Sequence, residues 1–270
     1  MKKTLLAVAA ALAASVISSQ AQVYSQNVVG YYNTVIPSHK FYFFANQLTT
    51  GTDAAQTNNN VNLVLTNGFT SDPNGVTNSV VYVWTGAGYG TILTYFTGSD
   101  ADNFFVLSGA INGWYDGGGN YSSQAIVPGV GGFIYNAATG SITNTYVGTV
   151  PQGTNILSIP TGFKTFSIEE PISTNIDSAL TGFPGTSDPS GVSNDAYYLW
   201  TGNSFGVILQ YFTGADADNF FVESGAVNGW YDGGGVNQDA NPADQPVVGQ
   251  GFLIKHFAAP LTWTNVFNVQ

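Results

Sequence analysis

The sequence contains a long internal repeat. Residues 72–119 align without a gap on residues 188–235, at a constant offset of 116 positions, and 34 of the 48 aligned pairs are identical. The segments on either side match loosely and need gaps. A repeat of this length predicts a duplicated domain. The tighter identity inside the block indicates that it has been held more closely than its surroundings, or homogenised.

The start of the chain is typical of an export signal. Lys2 and Lys3 form a positive region, residues 5–17 are apolar and rich in alanine, and residues 19–21 read Ser-Gln-Ala. Small residues at this point are what signal peptidase recognises. We therefore expect cleavage after Ala21 and a mature protein that is secreted, periplasmic or located at the cell surface.

The mature chain is strongly acidic. Without the signal it keeps Lys40, Lys164 and Lys255, no arginine and sixteen acidic residues, which gives a net charge of −13. A nucleic acid or an anionic membrane surface needs a basic footprint, so we expect neither as a partner. We also expect no membrane span after signal removal. The chain has no cysteine, and domains of this size build their cores without disulfides.

Short runs rich in Val, Ile, Thr, Tyr and Phe recur between Gly, Pro, Asn and Asp residues. This pattern predicts an all-β protein with two tandem antiparallel β-sandwich or small barrel domains, at residues 22–150 and 151–270. Residues 60–65 and 176–180 predict at most one or two helical turns. The predicted strands are 27–36, 41–47, 80–84, 91–96, 132–135 and 142–150, then 156–159, 165–168, 197–200, 207–212, 251–255 and 261–269.

Recurring motifs accompany this pattern. An Ala-rich signal peptide precedes VYSQNVVGYYN, and each copy of the repeat contains YxWTG and GWYD. A later GxGF is complete only in the second copy, at residues 249–252, while the first copy has Val-Gly-Gly-Phe at 130–133. Together these motifs resemble a family of uncharacterised secreted bacterial proteins. The resemblance covers nearly the whole mature chain and implies export and a β-rich repeat, with no assigned substrate, cofactor or catalytic residue.

An acidic cluster within the repeat is a candidate metal site. Carboxylates at alternate positions followed by an asparagine supply the oxygen ligands that Ca²⁺ takes. An EF-hand loop is excluded, because its fifth position holds Phe104 or Phe220. The alternative is an Asx turn between two strands, and the following residues 103–110 fit a strand or a short helix. We expect no cofactor other than calcium at this cluster. The candidate ligands are Asp100, Asp102 and Asn103, repeated as Asp216, Asp218 and Asn219.

The repeated aromatic loop is a candidate glycan site. Flat rings beside carboxylates hold sugar rings, and the sequence Asn-Gly-Trp-Tyr-Asp-Gly-Gly-Gly suggests a turn that exposes its aromatic residues. The alternative is that the loop folds back and buries each indole. Trp84, in an apolar run, is predicted to be core. The candidate residues are Trp114, Tyr115 and Asp116 in the first copy and Trp230, Tyr231 and Asp232 in the second.

No arrangement of residues indicates an enzyme. The two histidines, His39 and His256, do not correspond between the copies, and no strand-to-helix phosphate loop appears. We expect a secreted or surface-associated, non-catalytic structural or binding module, whose partner is an extracellular glycan or a cell-surface component. The alternatives are a glycan-binding module that uses loop aromatics and Asp, and an extracellular hydrolase with paired carboxylates in a deep cleft. A membrane barrel would need longer alternating segments.

Overall fold

A computed structural model of the protein describes residues 29–50, 59–66, 68–85, 88–168, 171, 175–180 and 182–267. The expected signal peptide, with its cleavage site after Ala21, lies outside these residues. The described part of the chain is mostly β, with 39% strand and 11% helix, and it forms four antiparallel sheets in two similar halves. The prediction of an all-β protein with two related domains is therefore confirmed. Within the described ranges the sheets form open layers, and no closed barrel is seen.

The first half contains a five-stranded sheet and a two-stranded ribbon. The sheet has the strand order β2-β6-β3-β4-β5, and the ribbon pairs β1 with β7. The strands are β1 (Val29–Ile36), β2 (Phe41–Ala45), β3 (Val80–Val83), β4 (Thr91–Phe96), β5 (Gly113–Tyr115), β6 (Gly131–Tyr135) and β7 (Ile142–Thr149). Two helices, α1 (Val61–Val64) and α2 (Gly98–Phe105), lie between them.

The second half repeats this topology. Its sheet has the order β12-β11-β10-β13-β9, and its ribbon pairs β8 with β14. The strands are β8 (Gly153–Ile159), β9 (Gly162–Phe166), β10 (Ala196–Trp200), β11 (Phe205–Phe212), β12 (Gly229–Tyr231), β13 (Phe252–His256) and β14 (Leu261–Phe267). The helices are α3 (Ile176–Ala179) and α4 (Gly214–Phe221), with a 3-10 turn at Pro242–Asp244.

Each ribbon covers one face of its sheet, so each half is a two-layer sandwich. Residues of β1 alternate between exposed and buried, because successive side chains of a strand point to opposite faces. Tyr32 of β1 stacks on Tyr146 of β7 with ring centroids 4.5 Å apart. Both rings belong to a buried cluster with Val81, Leu93 and Ile134 of the sheet. The opposite face of the sheet is left free of the ribbon.

The repeated acidic segment is a helix, and not the Asx turn between two strands that was the alternative to a metal site. The hydroxyl of Thr97 accepts a hydrogen bond from the backbone N–H of Asp100 (3.3 Å), which caps α2, and the second half repeats this contact with Thr213 and Asp216. An N-cap threonine and an aspartate in the first turn both favour a helix N-terminus. The Gly-Trp-Tyr segments form the short edge strands β5 and β12 and not loops.

The two halves meet at the edge strands β2 and β9. The N–H of Ala45 donates to Gly249 O (2.9 Å), and the N–H of Ser167 donates to Gly129 O (3.2 Å). These residues occupy equivalent positions in the two strand registers, so the contact is made in both directions. The N–H of Gly251 also donates to Phe43 O (2.9 Å). The junction therefore has the pseudo-two-fold form of a homodimer interface within one chain.

Candidate functional site

The repeated tryptophans are buried, and the expectation that they are exposed is wrong. Trp114 and Trp230 have 0% and 3% of their surface exposed. Trp114 Nε1 donates to Leu65 O (3.0 Å), and its ring packs at 4.9 Å from the ring of Phe69. Pairing of β5 with β4 turns this ring toward the core. A glycan site on these two rings lacks the exposed surface on which it depends.

The neighbouring tyrosines are also buried, in a small cluster of each half. Tyr115 packs with Phe96 and Ala101, and its hydroxyl donates to Ile111 O (2.5 Å). Tyr231 repeats the arrangement, with its hydroxyl donating to Val227 O (2.6 Å). Sequence reasoning placed both rings in an exposed Gly-rich loop. Their hydroxyl groups instead hydrogen-bond to Ile111 and Val227, in the segments that follow helices α2 and α4.

The carboxylates of the Gly-rich loops bind their own turns. Asp116 Oδ1 accepts from the N–H of Gly118 (2.8 Å) and of Asn120 (2.9 Å). The side-chain hydrogen bond from Asn120 is the main cause that lowers the pKa of Asp116. Asp232 Oδ1 accepts in the same way from the N–H groups of Gly234 (2.9 Å) and Val236 (3.0 Å). Both side chains are therefore turn-formers, which is the ordinary role of Asp in such loops.

The candidate metal ligands also make contacts within the fold. Asp100 Oδ2 accepts from the hydroxyl of Ser71 (2.5 Å), and the carboxylate of Asp102 accepts from the N–H groups of Gly109 (3.1 Å) and Ala110 (2.9 Å). Asp216 and Asp218 make the corresponding contacts in the second half, while Asn103 and Asn219 are exposed. Across the described residues there is no group of three or more His, Cys, Asp or Glu side chains that could hold a metal ion.

The structure contains a buried His–Asp pair that the sequence analysis did not predict. His256 Nδ1 lies 2.9 Å from Asp195 Oδ2, its Nε2 lies 3.0 Å from Ala259 O, and neither side chain is exposed. The equivalent positions in the first half hold Ser79 and Asn136. Both ring nitrogens are engaged, and no solvent reaches the pair. The pair anchors a loop to the sheet, and this geometry does not present a base to a substrate.

A concave groove lies at the junction of the halves. It has a volume of about 360 Å³ and is lined by aromatic side chains from both halves. Strand pairing in the first half forms one wall of the groove. Phe43, Phe133 and Tyr82 lie opposite one another on the face of the sheet away from the ribbon. The lining residues are Phe41, Tyr82, Tyr89 and Phe133 of the first half and Trp200 and Phe205 of the second.

The rings of this aromatic groove hold one another in place. Trp200 packs edge-on against Phe133, with centroids 4.9 Å apart, and against Phe205 at 5.3 Å. Phe43, fully buried beneath, stacks on Phe133 at 4.5 Å. Trp200 Nε1 donates to Phe41 O (3.2 Å) across the junction. Contacts of this kind fix the walls before any ligand arrives.

Polar groups are few and lie mainly at the rim. Lys40 Nζ donates to Asn203 Oδ1 (2.8 Å), which joins the first residue before β2 to the turn after Trp200. The hydroxyl of Tyr89 is buried without a hydrogen-bond partner among the described residues, and burial raises its pKa. This chemistry favours stacking and apolar contact, and it offers no acid–base pair.

Only part of this groove was visible in the sequence. The pairs Trp84/Trp200 and Tyr89/Phe205 recur at the offset of the repeat. Phe133 and Phe41 lie outside the gap-free block, and their meeting with Trp200 depends on long-range strand pairing. Such pairing leaves no local signal.

No family model, curated protein or solved structure matches the chain. Among the helices that the structure describes, none has both the length and the apolar character needed to cross a membrane.

Proposed function

We propose that this chain is a secreted or surface-associated, non-catalytic binding module whose aromatic groove takes an apolar or aromatic group of a partner. The observation that supports this proposal is the set of six aromatic side chains around one open groove at the junction. A concave, mostly apolar surface with rigid walls is the usual form of a binding site. Trp and Tyr are also the residues that contribute most to binding where they become desolvated.

The groove gives a reason for two halves in one chain. Phe133 comes from the first half and Trp200 from the second, and they are in ring contact. Either half alone has only one wall. A binding surface that is completed by the junction fits the hydrogen bonds that join Phe43 and Ala45 of the first half to Gly251 and Gly249 of the second.

The two alternatives have less support. The glycan hypothesis was carried by Trp114 and Trp230, which are buried, and a sugar ring needs more hydrogen-bonding groups than the groove offers. The hydrolase hypothesis needs an accessible acid or base, whereas the pair of Asp195 and His256 is closed to solvent. An apolar or aromatic group matches the walls of the groove better than either.

The test uses the fluorescent probe 1-anilinonaphthalene-8-sulfonate. Phe41 and Phe163 occupy equivalent positions at the edges of the two sheets, and each is 39% exposed. We expect Phe41→Glu to abolish most of the probe fluorescence, because the substitution places a charge in the groove. Phe163→Glu makes the same change outside the groove, so its probe fluorescence should equal that of the unmodified chain. Equal fluorescence from all three proteins would overturn the proposal.

A further inference from the structure

A second surface of the chain is exposed, apolar and repeated. Helices α2 and α4 are each followed by a C-cap valine, Val106 or Val222, whose backbone is left-handed (φ 57°) and whose surface is 88% exposed. This conformation is normally left to glycine or asparagine, because a branched side chain clashes with the backbone there. The same unfavourable choice is made in both halves.

Two further apolar residues accompany each valine. The ring of Phe104 lies against Gly75, next to the exposed Val76, and Phe220 repeats this contact with Gly191 beside Val192. We call each such set an apolar tip. The tips consist of Val76, Phe104 and Val106 in the first half and Val192, Phe220 and Val222 in the second.

Packing within the fold does not account for the valines of the tips. A side chain that is 88% exposed contributes little to the core, and asparagine would adopt the same backbone with less strain. The neighbouring position is not kept apolar, because Leu107 corresponds to Glu223. The tip valines are therefore exposed to contacts from outside their own domain.

The charges distinguish the tips from the groove. Asp100 and Asp102 lie on the helix that carries the first tip, and residues 72–79 and 98–111 contain no lysine. Lys40 lies at the rim of the groove, where it is held by Asn203. An exposed apolar tip beside carboxylates is therefore complementary in charge to an aromatic groove with a lysine at its rim.

We propose that the aromatic groove of one chain takes an apolar tip of a second copy. This proposal rests on the proposed function of the groove and names its partner. The outermost strands β5 and β12 lie on the sides of the sheets away from the junction strands β2 and β9, so tips and groove are on different parts of the molecule. Contact between two different surfaces builds closed rings or open chains of molecules, according to the rotation that relates successive copies.

The test is sedimentation velocity over a concentration series. The unmodified chain should show species that grow with concentration. Val106→Asn with Val222→Asn makes the most exposed residue of each tip polar without loss of thermal stability, because asparagine tolerates the left-handed backbone. Phe41→Glu removes the groove. Each of these two proteins alone should sediment as a single chain, with complete loss of larger species, while Phe163→Glu should assemble like the unmodified chain.

A mixture of the two defective proteins is the decisive experiment. The Phe41→Glu chain keeps two tips, and the tip variant keeps one groove. The largest complex in the mixture should therefore contain one Phe41→Glu chain and two tip-variant chains. Any of three results would overturn the proposal. The unmodified chain could stay single at every concentration, the tip variant could still assemble, or the mixture could form no complexes. Binding of the fluorescent probe by the tip variant shows separately whether the groove itself binds apolar groups.

Discussion

Trp114 illustrates how a short edge strand beside a glycine-rich turn can bury a large ring. Its indole contacts Phe69 and Tyr95 and donates to Leu65 O, so its removal leaves a cavity and an unpaired carbonyl. We expect Trp114→Ala to lower the free energy of unfolding by about 3–5 kcal/mol. Urea denaturation measures this loss. Tyr31→Ala, at an exposed site on β1, should change the free energy by no more than ~0.5 kcal/mol. A loss as small for Trp114 would contradict its place in the core.

The buried pair of Asp195 and His256 has a natural control in the other half of the molecule. Asp195 also accepts from the N–H groups of Thr186 and Phe257, and Ser79 accepts from the equivalent groups. Asp195→Ser alone leaves a buried imidazole without its carboxylate, which should cost about 3–5 kcal/mol.

Asp195→Ser with His256→Asn reproduces the neutral pair of Ser79 and Asn136. This double variant should recover most of the stability lost in the single variant, because no unpaired charge or imidazole remains. The test compares the midpoints of urea unfolding of the single and double variants, and the midpoint of the double variant should be the higher. A double variant as unstable as the single one would show that the surrounding residues of the second half require the pair of Asp195 and His256.

At the scale of elements, the helices α2 and α4 depend on local signals that the sequence did contain. Thr97 caps α2, and Thr97→Ala should therefore cost about 1 kcal/mol in the free energy of unfolding. Ser99→Ala is the matched control, since the second half already has Ala215 at that position. Chemical denaturation of both variants tests the difference. Equal stability of the two would mean that tertiary packing alone holds the helix.

The strands were more predictable than these helices, for a physical reason. Strand β4 was predicted with its observed bounds, because a run of branched and aromatic residues lies between Gly and Thr-Gly. Helix α2 was missed because Asp-Ala-Asp-Asn favours turns as well as helix starts, and only the cap of Thr97 separates the two. Strand β5 was missed because it is three residues long and depends on pairing with β4.

For the whole molecule, the junction protects an edge that would otherwise be open. Strand β2 is the edge of its sheet, and Phe44 forms a bridge with Gln250 of the other half. Unpaired edges invite association with other strands, so this contact stabilises the halves as a unit. The sequence predicted two related domains from the repeat. It could not predict which edges meet, because the residues involved are far apart in the chain.

The pseudo-two-fold junction also has a genetic consequence. In a dimer of separate identical chains, every substitution appears at both symmetry-related places. Here the two places have their own codons, and they have diverged: Phe133 corresponds to Leu253, and Phe43 corresponds to Thr165. A substitution on one side of the axis therefore leaves the other side unchanged, and the ring of Phe133 lines the groove where the equivalent position of the second half holds Leu253.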